Sequence, residues 1–286
     1  MTTRIEDVVG VLESAYPPER AESWDAVGLV CGDPRAEVGR VVFCVDPVEE
    51  TVEEALEVGA QLLVAHHPLL LRGVHGLPAD TPKGRLVHRM IRSGLGLYCA
   101  HTNADTASPG VSDALAAALG LTVTAPLCPH AEGAATGLGR IGELPEAEPF
   151  EDFVRRVAGA LPTTEWGVRG AGPRGRSVRR VAVCGGSGDS NLDAAVDAGV
   201  DAYVTADLRH HPASEHVARG EVPGGAVPNL VDVAHWASEW PWCRQAADIV
   251  TTALSDEVEV LVSARRTDPW TVHAHGTATD TGRMPE

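Results

Sequence analysis

Residues 41–68 read VVFCVDPVEETVEEALEVGAQLLVAHHP. Val41 to Val45 is a compact apolar run, and Leu62 to Ala65 is a second one. Between them Pro47 to Val58 is charged on one side and apolar on the other, with proline near its start and Gly59 just past its end. Each apolar run predicts a strand buried on both faces, and the middle stretch predicts a helix. Strand, helix and strand in that order form a βαβ unit with a parallel pair. The second strand stops at His66-His67-Pro68, because proline cannot continue a ladder.

Working outward, Ile5 to Tyr16 has apolar residues at helical spacing, and Glu22-Ser-Trp-Asp-Ala-Val-Gly-Leu29 is a polar turn leading into a strand. Gly84 to Ser93 predicts a helix, followed by a strand from Leu95 to Ala100 that stops at His101-Thr-Asn-Ala-Asp105. Phe150 to Leu161 predicts another helix. The alternation gives an α/β fold with largely parallel sheets. It also repeats. Val181-Ala-Val-Cys184 lies 140 positions after Val41-Val-Phe-Cys44, and the same offset relates Gly199 to Gly59, Ala202–Thr205 to Leu62–Ala65, and Asp207 to His67. This is an internal duplication of the α/β unit. Thr122 to Gly139, rich in Pro, Gly and Ala, reads as a linker, which divides the chain into a first repeat over 1–125 and a second over 126–265. Residues 266–286 show no apolar period and read as a disordered tail.

The chain has 286 residues, 23 Lys+Arg against 40 Asp+Glu and a formal charge of −17. Such acidity argues against nucleic acid or an anionic membrane as partner. No apolar run reaches the roughly 18 residues of a membrane span, and no secretory signal opens the sequence. The six cysteines form no CxxC pair, so a reduced, cytoplasmic protein is the simplest reading.

The histidines carry the chemistry. His66-His67 and His101 end predicted strands, Asp105 is four residues beyond His101, and His235 follows the apolar run Leu230 to Val233 with Glu239 four residues on. Ligands of α/β sheets bind outside the carboxyl ends of the strands. Imidazole and carboxylate without thiolate suit a catalytic Zn, Fe, Mn or Ni site. Adjacent histidines diverging from one strand end suit two ions better than one. If Trp236 onward is helical, His235 and Glu239 share a face one turn apart, where a carboxylate could bridge two ions. Each motif alone is weak: an HHP triplet is commonly a surface or capping pair, and His101 with Asp105 could be a turn. Gly185-Gly-Ser-Gly188 lacks the lysine and spacing of a phosphate loop and reads as a tight turn.

In order, Val64-Ala-His-His-Pro-Leu-Leu70, His101-Thr-Asn-Ala-Asp105 and His235-Trp-Ala-Ser-Glu239 resemble the three metal-binding motifs of the NIF-three-like dinuclear metal centre family, whose members are labelled GTP cyclohydrolase 1 type 2 homologues. Glu22–Leu29, Gly139-Arg-Ile-Gly-Glu-Leu-Pro145, Val181–Gly188 and Asp207-Leu-Arg-His-His211 are similar to further family motifs. The resemblance spans roughly residues 4 to 264. It implies two divalent cations per chain (Zn, Fe or Mn), one on His67 and Asp105, the other on His66 and His235, with Glu239 bridging. It implies that His101 lies close to the metals and either supports a ligand or shuttles a proton, and it gives Asp207 and His210 no role. It implies two intertwined α/β repeats and a toroidal homohexamer with inward-facing sites. Some members carry an inserted domain for which the gap from Asp105 to Val181 is too short. A metal-dependent hydrolase of a nucleotide, phosphoester or cyclic amide follows, the alternative being a metal-binding scaffold or regulatory partner.

Overall fold

A computed structural model describes residues 2–254 and 257–274. Helix α1 (Ile5–Ala15) starts where Asp7 accepts the Arg4 backbone N–H at 2.8 Å, and it buries Ile5, Val8 and Leu12. Strand β1 (Gly28–Cys31) follows, then β2 (Arg40–Cys44), α2 (Glu49–Glu57) and β3 (Leu62–Ala65), the βαβ unit of the opening stretch. The turn out of α2 uses Gly59 at φ +69°, a conformation that costs other residues about 1 kcal/mol. Helix α3 (Pro82–Arg92) is capped by Thr81, whose hydroxyl accepts from Gly84 N–H at 3.2 Å, and it leads to β4 (Gly96–Cys99). After the short α4 (Thr102–Thr106) and α5 (Val111–Ala118), the chain builds β5 (Thr122–Pro129) and β6 (Gly137–Pro149).

The second half runs α6 (Phe150–Ala160), β7 (Arg169–Ala171), β8 (Ser177–Ser187), α7 (Leu192–Asp197), β9 (Ala202–Ala206), α8 (His210–Glu221), β10 (Asn229–Val233), α9 (His235–Leu254) and β11 (Glu259–Val262). The five-stranded sheet has the order β1-β4-β3-β2-β11 and the six-stranded sheet β5-β6-β8-β9-β10-β7. In both, three consecutive strands (β2, β3, β4 and β8, β9, β10) run parallel, with an antiparallel short strand, β1 or β7, at one edge. The duplication is therefore real in three dimensions. The two repeats are intertwined by exchange: the chain after β4 supplies β5 and β6 to the second sheet, and the chain after α9 returns β11 to the first, parallel to β2.

One core joins the sheets. Val41, Phe43 and Val64 from the first face Val181, Val183, Val204 and Val231 from the second, with α1, α5, α6 and α9 packed between them. Val42, Leu63 and Leu97 on the outer face of the first sheet pack with α2 and α3, and Ala182, Cys184 and Tyr203 on the outer face of the second pack with α7. Both faces of the central strands are covered, which is why they read as unbroken apolar runs. All six cysteines are free. No described helix is long and apolar enough to cross a membrane.

Two expectations change. Thr122 to Gly139 is largely strand, not linker. Strand β5 lies at the edge of its sheet, where Pro126 and Pro129 leave no buried ladder bond unmade. Residues 266–274, read by composition as part of an unstructured tail, lie against the body: Thr267 donates its hydroxyl to Asp46, Asp268 is buried, and the Trp270 ring sits 6.0 Å from that of Trp166. These contacts join residues far apart in the chain and leave no local period. Residues 275–286 lie outside the described residues.

Candidate metal centre

Five chain segments end at one place. His66 and His67 extend β3, their N–H groups donating to Cys44 O at 3.1 Å and Val45 O at 2.9 Å. Pro68 stops the strand there. His101 caps α4, which turns Asp105 back over the end of β4. His235 and Glu239 lie one turn apart on α9, as the spacing predicts, with His235 Nε2 3.0 Å from Glu239 Oε1. Gly185 and Gly186 end β8, and Asp207 follows β9. The adjacent histidines converge rather than diverge, because the carboxylate of Glu239 lies between them. His67 Nε2 is 3.0 Å from Oε2, and His66 Nε2 is 3.5 Å from Oε1. Asp105 is 3.5 Å from His66 Nε2. Oε1 thus faces His66 and His235 while Oε2 faces His67, the division the resemblance implies, but Asp105 sits beside His66 rather than His67. Donor atoms of His67, His235 and Glu239 lie within 4.8 Å of one another, and so do those of His66, His67 and His101. This buried histidine and glutamate group could hold a metal ion.

The outward-facing imidazole nitrogens are all committed. His66 Nδ1 is 2.8 Å from the Ala100 carbonyl oxygen, His67 Nδ1 2.7 Å from Asp46, His235 Nδ1 2.7 Å from Asp207 and His101 Nδ1 2.9 Å from Asp25. A carbonyl only accepts, so His66 carries a proton at Nδ1 and directs Nε2 at two carboxylates. Burial opposes charge on this ring, but Glu239 and Asp105 outweigh it and raise its pKa, so the pocket favours a cation at Nε2. His66 Nε2 is buried without a hydrogen-bond partner. Such orphaned atoms are rare in folded proteins and fit a metal ion.

The electrostatics agree. Burial opposes charge on His67 and His235, yet Glu239 with Asp46 or Asp207 outweighs it and pushes their pKa values to about 10 and about 11. Burial would raise Glu239, and the three imidazoles hold it well below the carboxylate range. Surroundings that favour two imidazolium ions also favour a metal cation in their stead. Burial pushes Asp105 up to about 6. His101 is lowered, chiefly by burial and then by His66, against the pull of Asp25.

Three supporting carboxylates escape sequence reasoning. Asp25 was only part of a quoted motif, and Asp46 carried no signal. Asp207 is legible as the counterpart of His67 and as the start of the Asp207–His211 motif, but not in its role, which is to hold His235. It does so at φ +57°, the only non-glycine at positive φ among the described residues; backbone strain of this kind gathers at functional sites. His210 does not join: it opens α8 with its ring against His211, exposed.

The Gly185–Gly188 turn proves to be a wall of the site. Gly186 has φ +66°, and a Cβ there would fall on Glu239 Oε1 and 3.2 Å from His235 Nε2. Gly186→Ala is therefore expected to displace Glu239, lowering metal content, and to cost about 1–3 kcal/mol of stability. Metal analysis and thermal unfolding of the variant check both. Full metal content would show that the wall can yield.

Known proteins are similar over most of the chain. A relative from Streptomyces coelicolor named GTP cyclohydrolase 1 type 2 homolog is 52% identical over 276 residues, 94% of each chain. The crystal structure of a Staphylococcus aureus hypothetical protein matches with TM-score 0.84 at 27% identity, covering 95% of this chain and 100% of that one. A Bacillus cereus protein related to NIF3 has the same fold, with TM-score 0.84 at 24% identity over 95% of this chain and 99% of that one. The family model described as Duf34/NIF3 (NGG1p interacting factor 3) matches residues 3–269, and the chain belongs to that family.

Proposed function

We propose that this protein is a hydrolase working with two divalent cations held by His66, His67, Asp105, His235 and Glu239. One observation carries the reading: a buried carboxylate meets three imidazole Nε2 atoms whose Nδ1 atoms are all tied outward, leaving His66 Nε2 without a hydrogen-bond partner. Bound cations would supply Lewis acidity and a water of lowered pKa, which suits attack on a phosphoester or cyclic amide. Zn, Fe and Mn all suit these donors.

The chain's own groups do the rest. Asp46 and Asp207 hold His67 and His235 in the tautomer that presents Nε2 inward. Asp25, accepting from Thr102 N–H at 3.0 Å, orients His101 at Nδ1. His101 is kept neutral by burial and takes or returns a proton at its other ring nitrogen. A cavity of about 370 Å³ beside it, walled by Trp24, Thr106 and Gly186, gives a small molecule access. The GTP cyclohydrolase name of the relatives points to opening of a ring amide or amidine. The hexameric ring with inward-facing sites belongs to the same proposal, and light scattering that returned a monomer would remove it.

The test is metal analysis of protein purified without added metal, followed by a hydrolysis screen of the loaded protein. Near two equivalents and turnover of one substrate class support the reading. A loaded protein inert to phosphoesters, nucleotides and cyclic amides would turn it toward a binding role. Asp46→Asn keeps the size of the side chain but weakens its hold on His67, and is expected to weaken metal binding about 10- to 100-fold, read by competition with a chelating dye. Unchanged affinity would show that Asp46 does not orient the ligand.

A further inference from the structure

His67 and His235 keep 23% and 33% of their side chains in contact with solvent, whereas His66 keeps none. A second cavity, about 310 Å³, lies against the outer side of the accessible pair and is lined by Asp46 and Asp207, which hold the two rings. Residues 267–270 close it from outside. They come after β11 and have no regular structure of their own.

Residues 266–270 form a strap from one sheet to the other. The chain leaves the first sheet at Ser263, whose N–H donates to Phe43 O at 2.8 Å. Thr267 then gives its hydroxyl to Asp46, just past β2. At the far end the Trp270 ring lies 6.0 Å from that of Trp166, whose Nε1–H donates to Asp232 of the second sheet at 3.2 Å. Arg266 is 3.5 Å from Glu165. Asp268 braces the strap from within, its carboxylate accepting the Trp270 backbone N–H and facing Arg266. Side chains alone dock the strap: among the described residues no backbone–backbone hydrogen bond joins 266–270 to the body. The Arg266–Glu165 pair is about a third exposed at both ends and contributes little. A segment held in this way opens ahead of the strands it covers.

The hold of the strap reaches the histidine cluster through one carboxylate. Asp46 fixes His67 Nδ1 with Oδ1 at 2.7 Å and Thr267 with Oδ2. With both bonds made, the His67 ring is pinned. With Thr267 released, Asp46 loses an anchor, and the cavity beneath the strap has room for the ring to turn. We propose that residues 266–270 are a gate for exchange of divalent cations. Docked, the strap pins His67 through Asp46. Open, it clears the outer face of His67 and His235, so that these rings swing outward and a hydrated cation is admitted or let go there. No lysine or arginine lines the cavity among the described residues, so no fixed positive charge opposes that route. The inference rests on the metal-binding half of the proposed function and needs no hydrolysis.

The test is stopped-flow exchange of Zn²⁺ on the full chain: release from loaded protein to a chromogenic chelator, and uptake by chelator-treated protein. Trp270→Ala, at a ring that is 58% exposed and touches no ligand, is expected to speed release and uptake alike, on the order of 10-fold, with affinity unchanged. A gate alters both rates together, whereas loss of a merely structural contact lowers affinity or metal content. Thr267→Val also loosens Asp46 and is expected to speed release more than uptake, on the order of 10- to 100-fold. Thr267→Ser keeps the hydroxyl and should behave as wild type. Wild-type rates in Trp270→Ala, a Trp270→Ala variant that loses affinity without faster uptake, or a Thr267→Ser variant as fast as Thr267→Val would each overturn the gate and leave the metal centre standing. Protein that takes up no Zn²⁺ would overturn both. Protein that exchanges Zn²⁺ as expected but hydrolyses nothing would support the gate and remove only the hydrolase.

Discussion

If the proposed pair of cations is present, Glu239→Gln is expected to take the protein from near two metal equivalents per chain to a small fraction of one, with the fold retained. Among the described residues, Glu239 alone lies in contact distance of His66, His67 and His235 together, at 3.5, 3.0 and 3.0 Å. The amide keeps the volume but removes the charge that draws a cation between the rings. The loss should exceed the 10- to 100-fold that a supporting carboxylate such as Asp46 would cost. The core does not depend on it, because the strands that carry the ligands are packed by Val41, Val64, Val183 and their neighbours.

The same variant has a pH signature in chelator-treated protein. His67 and His235 have pKa values raised from 6.5 to about 10 and about 11, by contacts with Glu239 and with Asp46 or Asp207 that outweigh burial. A raised folded-state pKa contributes stability that is present in full below the unfolded value and is lost as pH rises through the folded one. Wild-type metal-free protein should therefore lose stability between about pH 6.5 and pH 11, and Glu239→Gln should lose much less over that window. Chemical unfolding at several pH values reads this. Parallel curves, or a variant with full metal content, would remove Glu239 from the centre of the site.

Arg140→Met is the change expected to damage the fold most, by about 3–5 kcal/mol, or on the order of 10 °C in melting temperature. The guanidinium is buried, 1% exposed, and every arm is used. Nε and Nη2 meet the two oxygens of Asp113 at 2.9 and 2.7 Å, Nη1 donates to Gly137 O and Gly139 O at 2.7 Å each, and Nη2 also reaches Ala107 O. Asp113 in turn accepts the Gly110 N–H at 2.8 Å at the start of α5. Arg140 thus bolts β6 of the second sheet to the turn that follows Asp105. Methionine fills much of the space but leaves a half-buried carboxylate and three carbonyls without their donor. The double variant Arg140→Met with Asp113→Leu should recover part of the loss, since it removes the orphaned charge. A single variant within about 1 kcal/mol of wild type would mean that water replaces the guanidinium.

Much of the site is legible in the sequence because its ligands sit at boundaries that local rules predict. Pro68 ends β3 at His66 and His67, and four-residue spacing puts His235 and Glu239 on one face of α9. Asp25, Asp46 and Asp207 are not legible in that way. Each is one of 40 acidic residues, and what distinguishes it is an imidazole 76, 21 or 28 positions away. Thr267, Asp268 and Trp270 escape for the same reason, since their partners Asp46 and Trp166 are distant in the chain and composition alone makes residues 266–274 look unstructured. Strand β5 escapes because an edge strand tolerates the prolines that would exclude it from the middle of a sheet.

By itself, then, the sequence determined the repeated βαβ unit, the strand ends and the residue types placed there. Periodicity and breakers act through near neighbours along the chain. The tertiary structure decided that β11 returns to the first sheet, that α9 lies between the sheets in their shared core, and that Glu239 therefore meets His66 and His67. It also decided that Asp46 serves both His67 and Thr267. These outcomes depend on which apolar faces of distant segments bury each other, and no local pattern encodes that choice.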